Sequence, residues 1–216
     1  MGSPNGYQSC FVSKWSSRPV RKFGFLFSAD QRNPLGRKPA RSRSEQRSVS
    51  LPFRISPART REDIDAVAEL FAAYAAELPI DLHYQDFSFE LANLPGKYAP
   101  PEGELLVAWD DRDLPVGCVG MRSLDYSNRC EMKRLYIVPE ARSLGLGKTL
   151  TEAIIEEARS RGYTELVLDT LQTMKAAANL YRRLGFRRAK AYYRPTPSGT
   201  LFMSIDLTLP VRAEHN

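Results

Sequence analysis

The sequence predicts an α/β fold, α+β by some schemes, in which helices pack on a mixed central sheet behind a basic N-terminal arm. Three observations lead there. Apolar residues recur at helical spacing between residues 64 and 78, 146 and 160, and 177 and 184, while short β-branched and aromatic runs lie between these stretches. One succession of strand, glycine turn, helix and strand requires a crossover between parallel neighbours. Elsewhere, as at residues 110–115, short turns join the strands.

The arm comes first. Residues 1–50 hold 10 Lys or Arg against Asp30 and Glu45 only, a net of +8, while the remaining 166 residues carry 21 basic and 23 acidic groups. The whole-chain charge of +6 therefore belongs to the arm. With 10 serines, four prolines and no sustained periodicity, it cannot bury enough apolar surface to offset its ordering entropy, and disorder in isolation is expected. Its composition fits a solvated extension, an organelle transit peptide or a nucleic-acid tail. The run Phe23 to Phe27 is too short for a signal-peptide core of about 7–15 residues, and no run reaches the ~18 apolar residues of a membrane span.

The domain is expected over residues 51–209, with a short tail at 210–216. Phe53-Arg54-Ile55 is a short strand that Pro57 interrupts. Thr60, followed by Glu62 and Asp63, supplies a capping hydroxyl and early acids for a helix whose face is Ile64, Val67, Phe71, Tyr74 and Leu78, ended by Pro79. Asp81, His83, Tyr84 and Asp86 form a polar and aromatic loop before a shorter helix from Phe87 to Leu94, stopped by Pro95-Gly96. Leu105 to Trp109 and Val116 to Met121 make a hairpin. Gly117 and Gly120 mark a bulge or a close backbone approach in its second strand. The next strand runs from Cys130 to Val138. A helix follows to Ser160 and closes at Arg161-Gly162, and Leu166-Val167-Leu168 is a buried strand. Ala177, Leu180, Tyr181 and Leu184 trace another helix, ended by Gly185. A strand through Ala191-Tyr192-Tyr193 and a last one along Leu201 to Leu207 complete the domain.

The organising stretch is the turn between Val138 and Thr149. Gly145 and Gly147 stand where a strand stopped by Pro139 meets a helix, so backbone N–H groups can approach a ligand at the positive end of that helix. A phosphate or pyrophosphate suits such a place. A Walker loop would need glycine at Arg142, and a dinucleotide fingerprint would need glycine at Leu150, so neither applies.

Arg142-x-x-Gly145-x-Gly147, followed after one strand by Ala177-x-x-Leu180-Tyr181-Arg182-Arg183-Leu184-Gly185-Phe186, resembles the GNAT superfamily of acyl-CoA N-acyltransferases over about residues 51–209. The resemblance implies a mostly antiparallel sheet whose parallel strand pair splays at a cofactor cleft. It implies that the main chain of Leu135, Tyr136 and Ile137 meets the acetyl and pantetheine groups of acetyl-CoA. It also implies that Arg142, Ser143, Leu144, Gly145, Leu146, Gly147, Lys148 and Thr149 hold the pyrophosphate, and that Tyr181 faces the thioester sulfur. Glu131 takes the place of a glutamate that is general base in several members. One position departs: Met174 stands where members often carry an asparagine that contacts coenzyme A.

N-acylation from a thioester requires a neutral amine, donors for the developing oxyanion and a proton for the leaving thiolate. A phenol pKa near 10 against roughly 8.5 for a thiol suits Tyr181 as the acid. On an unbroken strand Glu131, Lys133, Leu135 and Ile137 share one face, so Glu131 would point the way Leu135 does. Asp125 and Tyr126 are reserve candidates. The expected activity is acetyl transfer from acetyl-CoA to a primary amine, of a small molecule or a peptide, by direct attack without a metal. The alternative is a non-catalytic acyl-CoA-binding or regulatory module with a basic arm for an acidic partner. No membrane partner is expected, nucleic acid is not favoured, and a homodimer is compatible. Cys10, Cys118 and Cys130 lack paired spacing, and His83 and His215 are the only histidines, so neither a disulfide framework nor a zinc site is indicated. An intracellular setting follows, cytoplasmic unless the arm directs the chain to an organelle.

Overall fold

The computed structural model describes residues 53–80, 86–124, 128–194 and 196–209. The basic arm, the loop residues Asp81, His83 and Tyr84, the reserve candidates Asp125 and Tyr126, and the tail lie outside the described residues. Seven strands form one sheet in the order β1-β2-β3-β4-β5-β7-β6: Phe53–Pro57, Glu104–Asp110, Pro115–Ser123, Arg129–Ile137, Glu165–Leu171, Arg187–Arg188 and Thr200–Asp206 number them β1 to β7 along the chain. Every neighbouring pair is antiparallel except β4 with β5. Among the described residues, four α-helices flank the sheet: α1 (Arg61–Glu77), α2 (Phe87–Ala92), α3 (Leu146–Ser160) and α4 (Lys175–Arg183).

The two-residue period of the strands supplies both faces. Leu105, Val107 and Cys118 join Val67, Leu70 and Phe71 of α1 in one core, while Leu106, Ala108 and Val119 join Leu150, Ile154 and Ala158 of α3 in the other. Helix α1 starts as its sequence dictates. The Thr60 hydroxyl accepts from the Asp63 N–H at 3.1 Å and the Asp63 carboxylate accepts from the Thr60 N–H at 2.9 Å, a reciprocal cap. The glycines of β3 mark close approach: a Cβ on Gly120 would lie 2.8 Å from the Tyr98 ring, and one on Gly117 would lie 3.0 Å from the Tyr136 carbonyl oxygen.

Two expectations about strands change. The strand foreseen through Ala191-Tyr192-Tyr193 does not form; pairing stops after Arg188, with one further bond from the Ala189 N–H to the Phe202 carbonyl. The chain then leaves the sheet, and Tyr192 and Tyr193 pack edge-on against Phe202, with centroids 5.0 and 5.3 Å away. Strand β4 is not regular either. Between the pairs Gly120↔Lys133 and Cys118↔Tyr136, β3 advances two residues and β4 three, and Arg134 takes up the extra residue at φ 58°. Leu135 and Ile137 therefore pack with Cys130 and Met132 on the α3 side, while Tyr136 turns to the α1 side. Glu131 and Leu135 do not share a face.

Candidate active site

The opening of the sheet creates the site. Strands β4 and β5 pair only at Arg129↔Glu165, Cys130↔Leu166 and Glu131↔Val167. Beyond these the two strands diverge, and a cleft of about 1070 Å³ lies between them, with Leu135, Tyr136 and Ile137 on one wall and Asp169 and Tyr181 on another. A backbone edge freed from its ladder keeps donors and acceptors available to a ligand.

The residue at the bulge explains why the irregular backbone persists. A left-handed non-glycine residue costs of order 1–3 kcal/mol, and Arg134 offsets this by what its side chain reaches. Its side chain is 2% exposed, and its guanidinium donates to both carboxylate oxygens of Glu90 at 2.8 and 2.9 Å and lies 5.1 Å from the Phe87 ring centroid. The Tyr98 hydroxyl donates to the same carboxylate at 2.9 Å. Burial would raise the Glu90 pKa, but the bonds from Arg134 and Tyr98 and the charge of Arg134 outweigh it and hold the carboxyl below its usual range.

At the cleft mouth the glycine turn leads into α3. Gly145 is the cap residue, at φ 81°, and Ser143 also has a positive φ of 68°. The first internal bonds of the helix run from the Lys148 and Thr149 N–H groups to the Gly145 carbonyl. Among the described residues, the N–H groups of residues 143–147 find no protein acceptor. Five unpaired donors at a helix N-terminus fit an anionic group such as a pyrophosphate. Gly147 has a second reason: a Cβ there would lie 3.3 Å from Ile137 Cδ1 and 3.5 Å from Leu180 Cδ2. Leu146 is buried in the α3 core, while Leu144 is 54% exposed.

Arg142 is exposed but held against the end of β4 and α1. It donates to the Ile137 carbonyl at 3.0 Å and to Glu77 of α1 at 2.6 Å, while the Tyr136 hydroxyl donates to the other Glu77 oxygen at 2.6 Å. Burial, then the bond to Glu77 and its charge, pushes the Tyr136 phenol up to about 12. Glu77 thus ties the end of α1 to both the β4 wall and the turn.

The two expected catalytic residues occupy different environments. Tyr181 lines the cleft from α4, stacks obliquely on Phe186 at 5.7 Å, and its hydroxyl makes no hydrogen bond among the described residues. Burial, followed by the charges of Tyr74 and Asp169, pushes its pKa well above the usual phenol value. Glu131 is fully buried and does not line the cleft. Arg122 holds one of its oxygens at 2.7 Å, Tyr192 donates to the other at 2.8 Å, and Lys133 Nζ lies 3.6 Å away. A proton could reach Glu131 from the cleft only through such neighbours. Met174, at the start of α4, offers no side-chain cap; its sulfur accepts from Thr170 Oγ1 at 3.7 Å.

Sequence reasoning passed over Glu77, Glu90 and Asp169. Only Asp169 carried a local signal, an acid directly after the apolar run Leu166-Val167-Leu168.

A mixed sheet opened at its parallel pair, with a donor-rich helix start at the mouth, is the arrangement that the resemblance to the acyl-CoA N-acyltransferases implies. The Acetyltransferase (GNAT) family model matches residues 65–186. An uncharacterized N-acetyltransferase of Schizosaccharomyces pombe is 38% identical over 154 residues, spanning 71% of this chain and 94% of that protein. Among solved structures, a GNAT-family acetyltransferase of Staphylococcus aureus superposes with a TM-score of 0.60 at 22% identity, over 72% of this chain and 99% of that one. PaiA N-acetyltransferase of Thermoplasma acidophilum, solved in complex with coenzyme A, does so with a TM-score of 0.56 at 18% identity, over 71% and 98%. The chain belongs to the GNAT acetyltransferase family and is an acyltransferase. No helix among the described residues is long and apolar enough to cross a membrane.

Proposed function

We propose that this protein is an acetyl-CoA-dependent N-acetyltransferase that acylates a primary amine by direct attack. The observation that carries the reading is one continuous cleft, which runs from the unpaired N–H groups of residues 143–147 along the free edge of β4 to Tyr181. Bound acetyl-CoA would supply an acyl group activated as a thioester. The turn from Arg142 to Thr149 binds its pyrophosphate, and Leu135, Tyr136 and Ile137 align the pantetheine and acetyl groups through their main chain.

Tyr181 serves as the acid. Its raised pKa keeps it protonated across the range in which amines react, and without a hydrogen bond to another described residue its hydroxyl is free to donate to the leaving sulfur. A carboxylate at the splay takes up the acceptor's proton, Glu131 being reachable through Lys133 and Asp169 directly. The acceptor approaches from the end of the splay where Lys133, Asp169 and Tyr193 meet. The catalytic unit is the domain of residues 51–209, with residues 1–50 a separate arm. Thiol release from acetyl-CoA, measured against a panel of small amines and peptides, tests the reading: amine-dependent release is expected, and tight acetyl-CoA binding without release to any amine would reduce the protein to a binding module.

A further inference from the structure

We infer that Asp169 of β5 is the catalytic residue that accepts the proton of the acceptor ammonium, and that Glu131 is a positioning residue acting on it through Lys133. The inference rests on the transferase reading above and deepens it by naming the group that the acceptor meets.

Position comes first. Asp169 lies two residues past Val167, where the β4–β5 ladder ends, so it stands at the start of the opening and lines the cleft, with its side chain 16% exposed. Glu131 belongs to the last paired rung and has no exposed surface. Hydrogen bonding separates the two further. Glu131 uses both oxygens on Arg122 and Tyr192. Asp169 accepts only from Lys133 Nζ, at 3.1 Å on Oδ1, and among the described residues Oδ2 has no partner. A carboxylate with one oxygen anchored and one open is oriented for a cationic guest.

Lys133 couples the two acids. Its ammonium is 3.1 Å from Asp169 and 3.6 Å from Glu131, and it lies 5.9 Å from the Tyr193 ring centroid. The charged and titratable groups around Asp169 are thus Lys133 and Glu131 from β4, Arg122 behind Glu131 on β3, Tyr181 from α4, and Tyr192 and Tyr193 from the segment after β6. Asp169 and Tyr181 line the same cleft.

The proton count closes with these groups. The ammonium gives one proton to Asp169 Oδ2, which passes it to solvent. The freed lone pair forms the C–N bond; as the C–S bond breaks, its electron pair goes to sulfur, which takes the Tyr181 proton. The nitrogen gives its surplus proton to Asp169, and Tyr181 recovers one from that carboxyl through the cleft. One proton is released per amide formed.

The test uses the full chain with an amine that supports thiol release. Asp169→Asn should lower kcat/KM for the amine about 100-fold or more at neutral pH. Its rate should climb with pH toward the amine's own pKa near ~10, where free amine no longer needs a base. Acetyl-CoA affinity by calorimetry should stay within about threefold, since Asp169 is placed against the acceptor. Asp169→Glu, which keeps a negative charge opposite Lys133, should restore part of the low-pH rate. Glu131→Gln should lower the melting temperature and kcat yet keep the shape of the wild-type pH profile. Wild-type kcat/KM in Asp169→Asn, or Asp169→Glu behaving like Asp169→Asn, overturns the assignment, as does a steep low-pH loss confined to Glu131→Gln. A wild-type protein that binds acetyl-CoA and acylates no amine would instead overturn the transferase reading, and the role of Asp169 with it.

Discussion

Removing one oxygen from Tyr181 separates chemistry from packing more cleanly than any other change at this site. Tyr181 is 6% exposed and packs with Ala178 and Phe186 in the core between α4 and the sheet. Phenylalanine keeps that volume. Because the hydroxyl has no hydrogen-bond partner among the described residues, its loss leaves no orphaned donor or acceptor there, and stability should change by less than about 1 kcal/mol. A general acid contributes typically 10²–10⁴-fold, and with water as a partial substitute kcat should fall at least ~10-fold. Acetyl-CoA affinity should hardly move. Because burial raises the Tyr181 pKa, the wild-type rate should show no loss from phenol ionisation below the usual value of about 10. The assays are a thermal melt, calorimetry with acetyl-CoA, and steady-state thiol release from pH 6 to 10 under conditions where chemistry limits the rate. Full turnover in Tyr181→Phe would refute the acid role and leave Tyr181 only its place in the core.

Three further outcomes are expected. Gly147→Val should weaken coenzyme A binding at least tenfold by blocking the donor-rich turn. It should also cost about 1–3 kcal/mol, because its Cβ already approaches Ile137 and Leu180; unchanged affinity by calorimetry with normal circular dichroism counts against the turn as the pyrophosphate site. Glu90→Gln should destabilise the fold by about 3–5 kcal/mol in a denaturant melt, since Arg134 would stay buried without its counter-charge. The sign with pH follows from the depressed folded-state pKa of Glu90. Its contribution is complete above the unfolded value near ~4.3 and disappears as pH falls through the lower folded value, so wild type and Glu90→Gln should converge in stability in acid, and a constant gap would contradict the pairing. Deleting residues 1–50 should leave melting temperature and acetyl-CoA affinity nearly unchanged, whereas a drop of several degrees would show that the arm packs on the domain.

Much of this fold was legible from local pattern. Helical spacing and the Thr60 cap placed α1, the Pro139 stop and the paired glycines placed the start of α3, and the stripe from Ala177 to Leu184 placed α4. These signals are short-range: a cap, a period and a breaker act within a few residues, so the sequence carries them whole. The family motifs are equally local, which is why the sequence by itself singles out the turn and Tyr181 as candidates.

What tertiary structure alone decided depends on contacts far apart in the chain. The bulge at Arg134 is held by Glu90, 44 residues earlier, and nothing in the run from Cys130 to Ile137 announces it. Once present, it reverses which side chains share a face and separates Glu131 from Leu135. The departure of Tyr192 from the expected strand likewise depends on a bond to Glu131, 61 residues away. Where the parallel ladder ends, after Glu131 and Val167, sets which carboxylate is sealed and which opens to the cleft. A strand's sequence sets its two-residue alternation, but its register, its bulge and the length of its pairing are set by the strands and helices that it meets.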